Sequence, residues 1–143
     1  MQDQNGEEEF HFSYSLRVRT GPYQGPETFA FARSVTTPLL VTGGKVKPEL
    51  LTPPVTVDPA RAIATCFKPA DAGGAGSLAA GGCILRLWET AGKSGPLTLE
   101  TPAFKRAFLC DLLETNQKEL PVNGGKVVVE LPSHGFACLR LLP

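Results

Sequence analysis

Short apolar segments, each closed off by turn-forming residues, run along the whole chain, and this punctuation sets the folds open to it. The 143 residues include 15 glycines and 13 prolines, spread from end to end. Strands of roughly four to eight residues fit between such breaks, whereas long helices do not. The clearest pattern lies near the start. Phe10, Phe12, Tyr14, Leu16 and Val18 alternate with His11, Ser13, Ser15, Arg17 and Arg19. A period of two puts one row of side chains on a buried face and the other on a wet face, so residues 10–18 are expected to form the first strand.

Further strands are expected at 39–42, 61–68 (RAIATCFK), 83–89 (CILRLWE), 96–99, 106–113 (RAFLCDLL), 126–131 (KVVVEL) and 136–142 (FACLRLL). The segment at 83–89 is the most apolar and is expected at the centre of a sheet. Helical propensity competes at 106–113, but close turn signals on both sides favour a strand. Residues 27–34 (ETFAFARS) are ambiguous between a helical turn and a short extended piece, and Pro38 breaks any helix there. Asn123, Gly124 and Gly125 mark a hairpin turn. Its arms are joined through 132–135 or pair with other strands.

The glycine-rich stretch at 71–82 (DAGGAGSLAAGG) reads as a loop, since strands of the same kind flank it. It lacks the Gly-Lys-Ser/Thr ending of a phosphate loop. The expected fold is an all-β, antiparallel β-sandwich of about seven to nine strands with at most one short helix. Residues 1–9 are expected to be a frayed lead-in, and 10–143 a single domain.

Composition narrows the function. Lys plus Arg equals Asp plus Glu at 14 each, so no excess of cations is present to bind a duplex or an anionic membrane. No apolar run approaches the roughly 20 residues that span a bilayer. The start, MQDQNGEEEF, lacks the basic lead and apolar stretch of a signal peptide. This points to the cytoplasm, or to a targeting segment upstream in a longer chain. Cys66, Cys83, Cys110 and Cys138 form no CxxC pair, and each falls in a predicted strand. Buried free thiols are the expectation, although four cysteines also allow three disulfide pairings.

Four stretches, taken in order, resemble the C-terminal β region of glycoside hydrolase family 38. Residues 12–21 (FSYSLRVRTG) are similar to a family strand F-x-Y-A-L that leads to a glycine. Residues 30–40 (AFARSVTTPLL) are similar to A-x-x-x-N-x-P-L, with Thr36 and Thr37 where the family usually shows Asn before Pro. Residues 84–93 (ILRLWETAGK) are similar to I-L-R-L-Y-E-x-x-G-R, the most specific of the set. Residues 110–114 (CDLLE), the Gly-Gly hairpin and residues 135–142 (GFACLRLL) are similar to the family's closing strands. Ser133 and His134 stand where a Pro-Phe-Glu type of turn is common.

The resemblance implies a parent enzyme that is a retaining α-mannosidase. Its divalent metal, usually zinc, would be held by two histidines and two aspartates of an N-terminal α/β domain. The H-x-D-x-x-W motif that opens that domain is absent from this sequence. His11 reads as a solvent-side strand residue and His134 as a turn residue, and neither has a metal-ligating neighbour at useful spacing. A retaining glycosidase needs two carboxyl groups about 5–5.5 Å apart. Of the candidates, Glu130 alternates with valines on a wet face, and Asp111 and Glu114 suit turns. Glu89, at a strand end before a glycine turn, is expected either to pair with a nearby cation or, with Lys93, to form a loop touching a catalytic domain or sugar.

No catalytic or metal residue and no cofactor is therefore expected in this chain. The resulting expectation is a structural module packing against other domains of the same polypeptide, with homodimerisation of the isolated domain through an apolar patch. A carbohydrate-binding module is the alternative, with Tyr23 of the Gly-Pro-Tyr-Gln-Gly loop and the sole tryptophan, Trp88, as the aromatics available to stack on a sugar.

Overall fold

A computed structural model describes residues 12–37, 43, 53–70 and 82–143. In sequence order these form helix α1 (Gly25–Thr36) and eight strands: β1 (Ala62–Pro69), β2 (Cys83–Glu89), β3 (Gly95–Glu100), β4 (Arg106–Cys110), β5 (Asn116–Leu120), β6 (Val122–Asn123), β7 (Lys126–Leu131) and β8 (Phe136–Leu142). One sheet has the order β1-β2-β8-β4-β5 and the other β3-β7-β6, with every pairing antiparallel. The all-β sandwich, with one helix among the described residues, is what the pattern of short strands predicts.

Period-two alternation explains the layering. On β7, Val127, Val129 and Leu131 are buried while Lys126, Val128 and Glu130 face outward. Leu97 and Leu99 of β3 do the same. They meet Leu85 and Leu87 of β2 and Leu139 and Leu141 of β8 in the core between the sheets. The outer face of the larger sheet carries a second buried cluster of Ile84, Phe108, Cys110, Cys138 and Leu142. Strand β8 is thus buried on both faces along most of its length and occupies the sheet centre expected for β2, which lies beside it. The arms flanking the 132–135 turn pair with other strands: β7 lies in the small sheet and β8 in the large one.

Three expectations need correction. Residues 12–18, the described part of the expected first strand, belong to neither sheet. Their alternation suits a strand, but Phe12, Tyr14, Leu16 and Val18 find no buried face here. Strand β4 ends at Cys110 rather than running to 113. Asp111 Oδ1 accepts the N–H groups of Leu113 and Thr115, both at 2.9 Å, and closes a turn in which Leu112 and Leu113 are exposed. Residues 116–120 (NQKEL) form β5, which pattern reading missed. It is a polar strand at the sheet edge, where charged side chains suit solvent and discourage further pairing. The expected lead-in at 1–9 and strand at 39–42 lie outside the described residues.

Helix α1 resolves the ambiguity at 27–34. Pro26 sits in its first turn, where a missing N–H costs nothing. Glu27 in that turn and Arg33 in the last turn suit the ends of the helix dipole. Thr37 has left helical geometry at the position before Pro38. All four cysteines are free thiols; Cys110 and Cys138 are buried, and burial is the largest influence raising both thiol pKa values.

Candidate functional site

At one end of the sandwich the loop after β2, the turn before β8 and the start of α1 converge. The anchor is Glu89, the last residue of β2, which is fully buried. Its Oε1 accepts the Ala91 N–H at 3.1 Å, and its Oε2 accepts those of Gly92 at 2.8 Å and His134 at 2.9 Å. Arg61 Nε lies 3.6 Å from Oε1, close enough for charge pairing and too far for a good hydrogen bond. Arg61 also donates to the Lys93 carbonyl at 3.1 Å, and its own carbonyl accepts the Thr90 N–H at 2.9 Å.

One carboxylate therefore fastens two loops that are far apart in sequence. Burial by itself would raise the Glu89 pKa. The backbone N–H groups of His134, Lys93, Gly92 and Ala91 outweigh it and hold the carboxyl below its ordinary value. Two backbone features let the loops come this close. Gly92 has φ +74°, which a side chain would strain, and His134 itself adopts φ 55°.

Helix α1 closes the arrangement from the other side. Gly25 lies so near the Thr90 carbonyl oxygen that an added Cβ would clash with it. Phe29 meets Trp88 edge-on at 4.3 Å between ring centroids, and Phe136 stacks on Trp88 at 5.5 Å. The Trp88 indole N–H donates to the His134 carbonyl at 3.2 Å. Arg33, one helical turn beyond Phe29, donates to the Ala64 carbonyl of β1 at 2.7 Å. Replacing Gly25 with Val is expected to undock α1 and leave the sheets folded. Intrinsic Trp88 fluorescence should shift towards the red while the β signal in far-UV circular dichroism persists; an unchanged emission maximum would contradict this packing.

Between helix and loops lies an open cleft of about 360 Å³ lined by Tyr23, Gln24, Lys93, Thr90 and His134, among others. The four residues singled out from sequence thus sit around one end of the molecule. Tyr23 is exposed and Lys93 lines the same cleft, Glu89 lies beneath it, and Trp88 is packed between two aromatic rings. Sequence reading missed Arg61, Gly25 and the backbone of His134. The Gly-Pro pair at 25–26 is the signal that could have marked a close approach ahead of a helix.

Of the other candidate carboxylates, Asp111 closes the turn after β4 and Glu130 faces outward on β7. Glu114, with φ 66°, accepts from Lys68 at 2.9 Å and Arg86 at 3.1 Å on the outer face of the large sheet. Its carbonyl also accepts from the buried Arg140 at 2.8 Å. Among the described residues no group of three or more His, Cys, Asp and Glu side chains could hold a metal ion. None of the described helices is long and apolar enough to cross a membrane.

This architecture coincides with a family match. The sequence model of the "Glycosyl hydrolases family 38 C-terminal beta sandwich domain" matches residues 62–134, just over half of the chain. The chain belongs to this family. The match begins at the first residue of β1 and ends at His134, beside Glu89, so it takes in the whole Glu89 loop. Of the four resembling stretches, the third, 84–93, falls inside it, as do residues 110–114 and the Gly-Gly hairpin of the fourth. The family 38 C-terminal sandwich is a non-catalytic domain in family terms, associated by name with α-mannosidase-type glycoside hydrolases. Comparison with curated proteins finds no match.

Proposed function

We propose that this sandwich packs against and supports the catalytic part of a family 38 glycoside hydrolase, with the loop-and-helix end around Glu89 as a contact surface. The observation that carries this reading is the state of Glu89. It is a carboxylate placed at a strand end, as an acid or base acting on a sugar would need to be, yet it is fully buried and accepts three backbone N–H groups. A group held in that way shapes a surface and has no exposure through which to exchange a proton with a substrate. In this reading the divalent metal, zinc or a similar ion, belongs with the catalytic part, because the described residues of this chain offer no ligand set for it.

The purified chain, incubated with an aryl α-mannoside and either zinc or cobalt, is expected to release no phenol above the buffer rate. Hydrolysis that co-purifies with the chain through successive columns would end this reading.

A further inference from the structure

Strand register brings two of the free thiols together. Cys66 of β1, Arg86 of β2, Cys138 of β8 and Cys110 of β4 form one row across the outer face of the larger sheet. Within that row Cys110 and Cys138 are direct partners in the β4–β8 ladder, with no strand between them. Opposed residues of an antiparallel pair have Cα atoms ~4.5–5.5 Å apart, inside the ~4.4–6.8 Å that a disulfide bridges. The other two cysteines are placed differently. Cys66 is separated from Cys138 by the whole of β2. That gap is two strand spacings, ~9–10 Å, and exceeds the ~7 Å limit for a bridge. Cys83 faces the opposite way and packs against the core between the sheets.

Both thiols of the pair are free, and they are 7% and 3% exposed. An open groove of about 450 Å³ is lined by both, together with Asp111, Leu112 and Phe136, and gives a small oxidant a path to them. The Cys110 thiol donates to Asn116 Oδ1 at 3.3 Å. Turning it towards β8 leaves that oxygen satisfied, because Asn116 Oδ1 also accepts from Arg140 Nε at 3.1 Å. Burial raises both thiol pKa values, while the guanidinium groups of Arg140 at Cys110 and Arg86 at Cys138 work against the rise.

We propose that Cys110 and Cys138 are a site of reversible oxidation, at which hydrogen peroxide converts the two neighbouring thiols to a disulfide that clasps β4 to β8. One thiol loses its proton, and its thiolate attacks a peroxide oxygen. An S–O bond forms, the O–O bond breaks, and the departing hydroxide takes up a proton to become water. The second thiol then attacks the sulfenic sulfur. The S–S bond forms, the S–O bond breaks, and a second water leaves with the remaining thiol proton. The two sulfurs are oxidised and the peroxide is reduced. The new bond closes residues 110–138 into a loop that contains β5, β6 and β7. It also fixes the start of the turn from which Glu114 reaches Lys68 and Arg86.

Mass spectrometry of the full chain, folded at neutral pH and treated with a small excess of hydrogen peroxide, tests this. The intact mass should fall by about 2 Da and recover with dithiothreitol. After alkylation and digestion, one cross-linked peptide pair should join Cys110 to Cys138, with Cys66 and Cys83 alkylated. Cys110→Ala and Cys138→Ala should each abolish the mass loss. The oxidised wild type should melt at least ~5 °C above the reduced form, because the denatured chain is then closed into a loop. The wild-type peptide map stands whether or not either variant folds. A map with no Cys110–Cys138 pair overturns the proposal, whether the thiols stay free, bridge elsewhere or gain oxygen irreversibly. A folded alanine variant that loses the same mass overturns it too. An oxidised chain that melts no higher than the reduced one denies the bond its role as a clasp.

Discussion

Glu89→Ala should destabilise the chain by ~3–5 kcal/mol at neutral pH, the cost typical of breaking a buried charge pair from one side. The substitution leaves Arg61 facing an empty site and strips the Ala91, Gly92 and His134 N–H groups of their acceptor. A domain of this kind has only ~5–15 kcal/mol of net stability, so the loss should be plain in urea unfolding at constant m-value. The pH dependence supplies an independent check. The folded-state pKa of Glu89 lies below its ordinary value of 4.5. Its contribution is therefore fully present above the unfolded-state pKa and fades as pH falls through the folded-state value. The gap between wild type and Glu89→Ala should narrow as the solution is acidified below the ordinary carboxylate range. A gap that stays constant from neutral to strongly acidic pH would show that the carboxylate charge contributes little.

Leu139→Ala should cost ~2–5 kcal/mol, by lost burial and by the cavity it leaves. Leu139 is 0% exposed at the middle of β8, pairs with Leu85 on one side and Leu109 on the other, and faces the core between the sheets. Leu113→Ala, the same chemical change in a similar-looking sequence stretch, should stay within about 0.5 kcal/mol of the wild type. Leu113 is 83% exposed in the turn closed by Asp111. Equal losses for the two variants in chemical unfolding would contradict the placement of the core.

These two leucines mark where sequence reading succeeds and where it stops. Alternation locates β7 because its charged residues and valines separate cleanly onto two faces. It locates β2 and β8 because their apolar character admits no other burial. At 106–113 it finds the strand and overruns its end, because a single aspartate decides where β4 stops: its side chain takes two N–H groups and ends the strand inside an apolar run. It fails at β5 because an edge strand is selected for polarity, so NQKEL lacks the signal that periodicity detects. It misplaces 12–18 because alternation reports only that a segment suits pairing, and the two described sheets leave this one unpaired.

The candidate site was legible in part for similar reasons. Glu89 and Lys93 stand out through their spacing around a glycine turn, and Tyr23 through its loop of Gly and Pro. The partners that fix Glu89 are mostly backbone N–H groups, which every residue possesses and no composition reveals. Arg61 lies far enough away in sequence that only the β1–β2 register brings it close: Ala62 pairs directly with Glu89.

Strand β8 follows all the others in sequence and yet lies between β2 and β4. During synthesis the ribosome delivers this wedge after every neighbour it joins. Until then β2 and β4 have no bridge between them, and each keeps an open edge lined with leucine. Shortening the polypeptide from that side would split the larger layer down its middle, so the nascent domain must be shielded until its closing segment emerges.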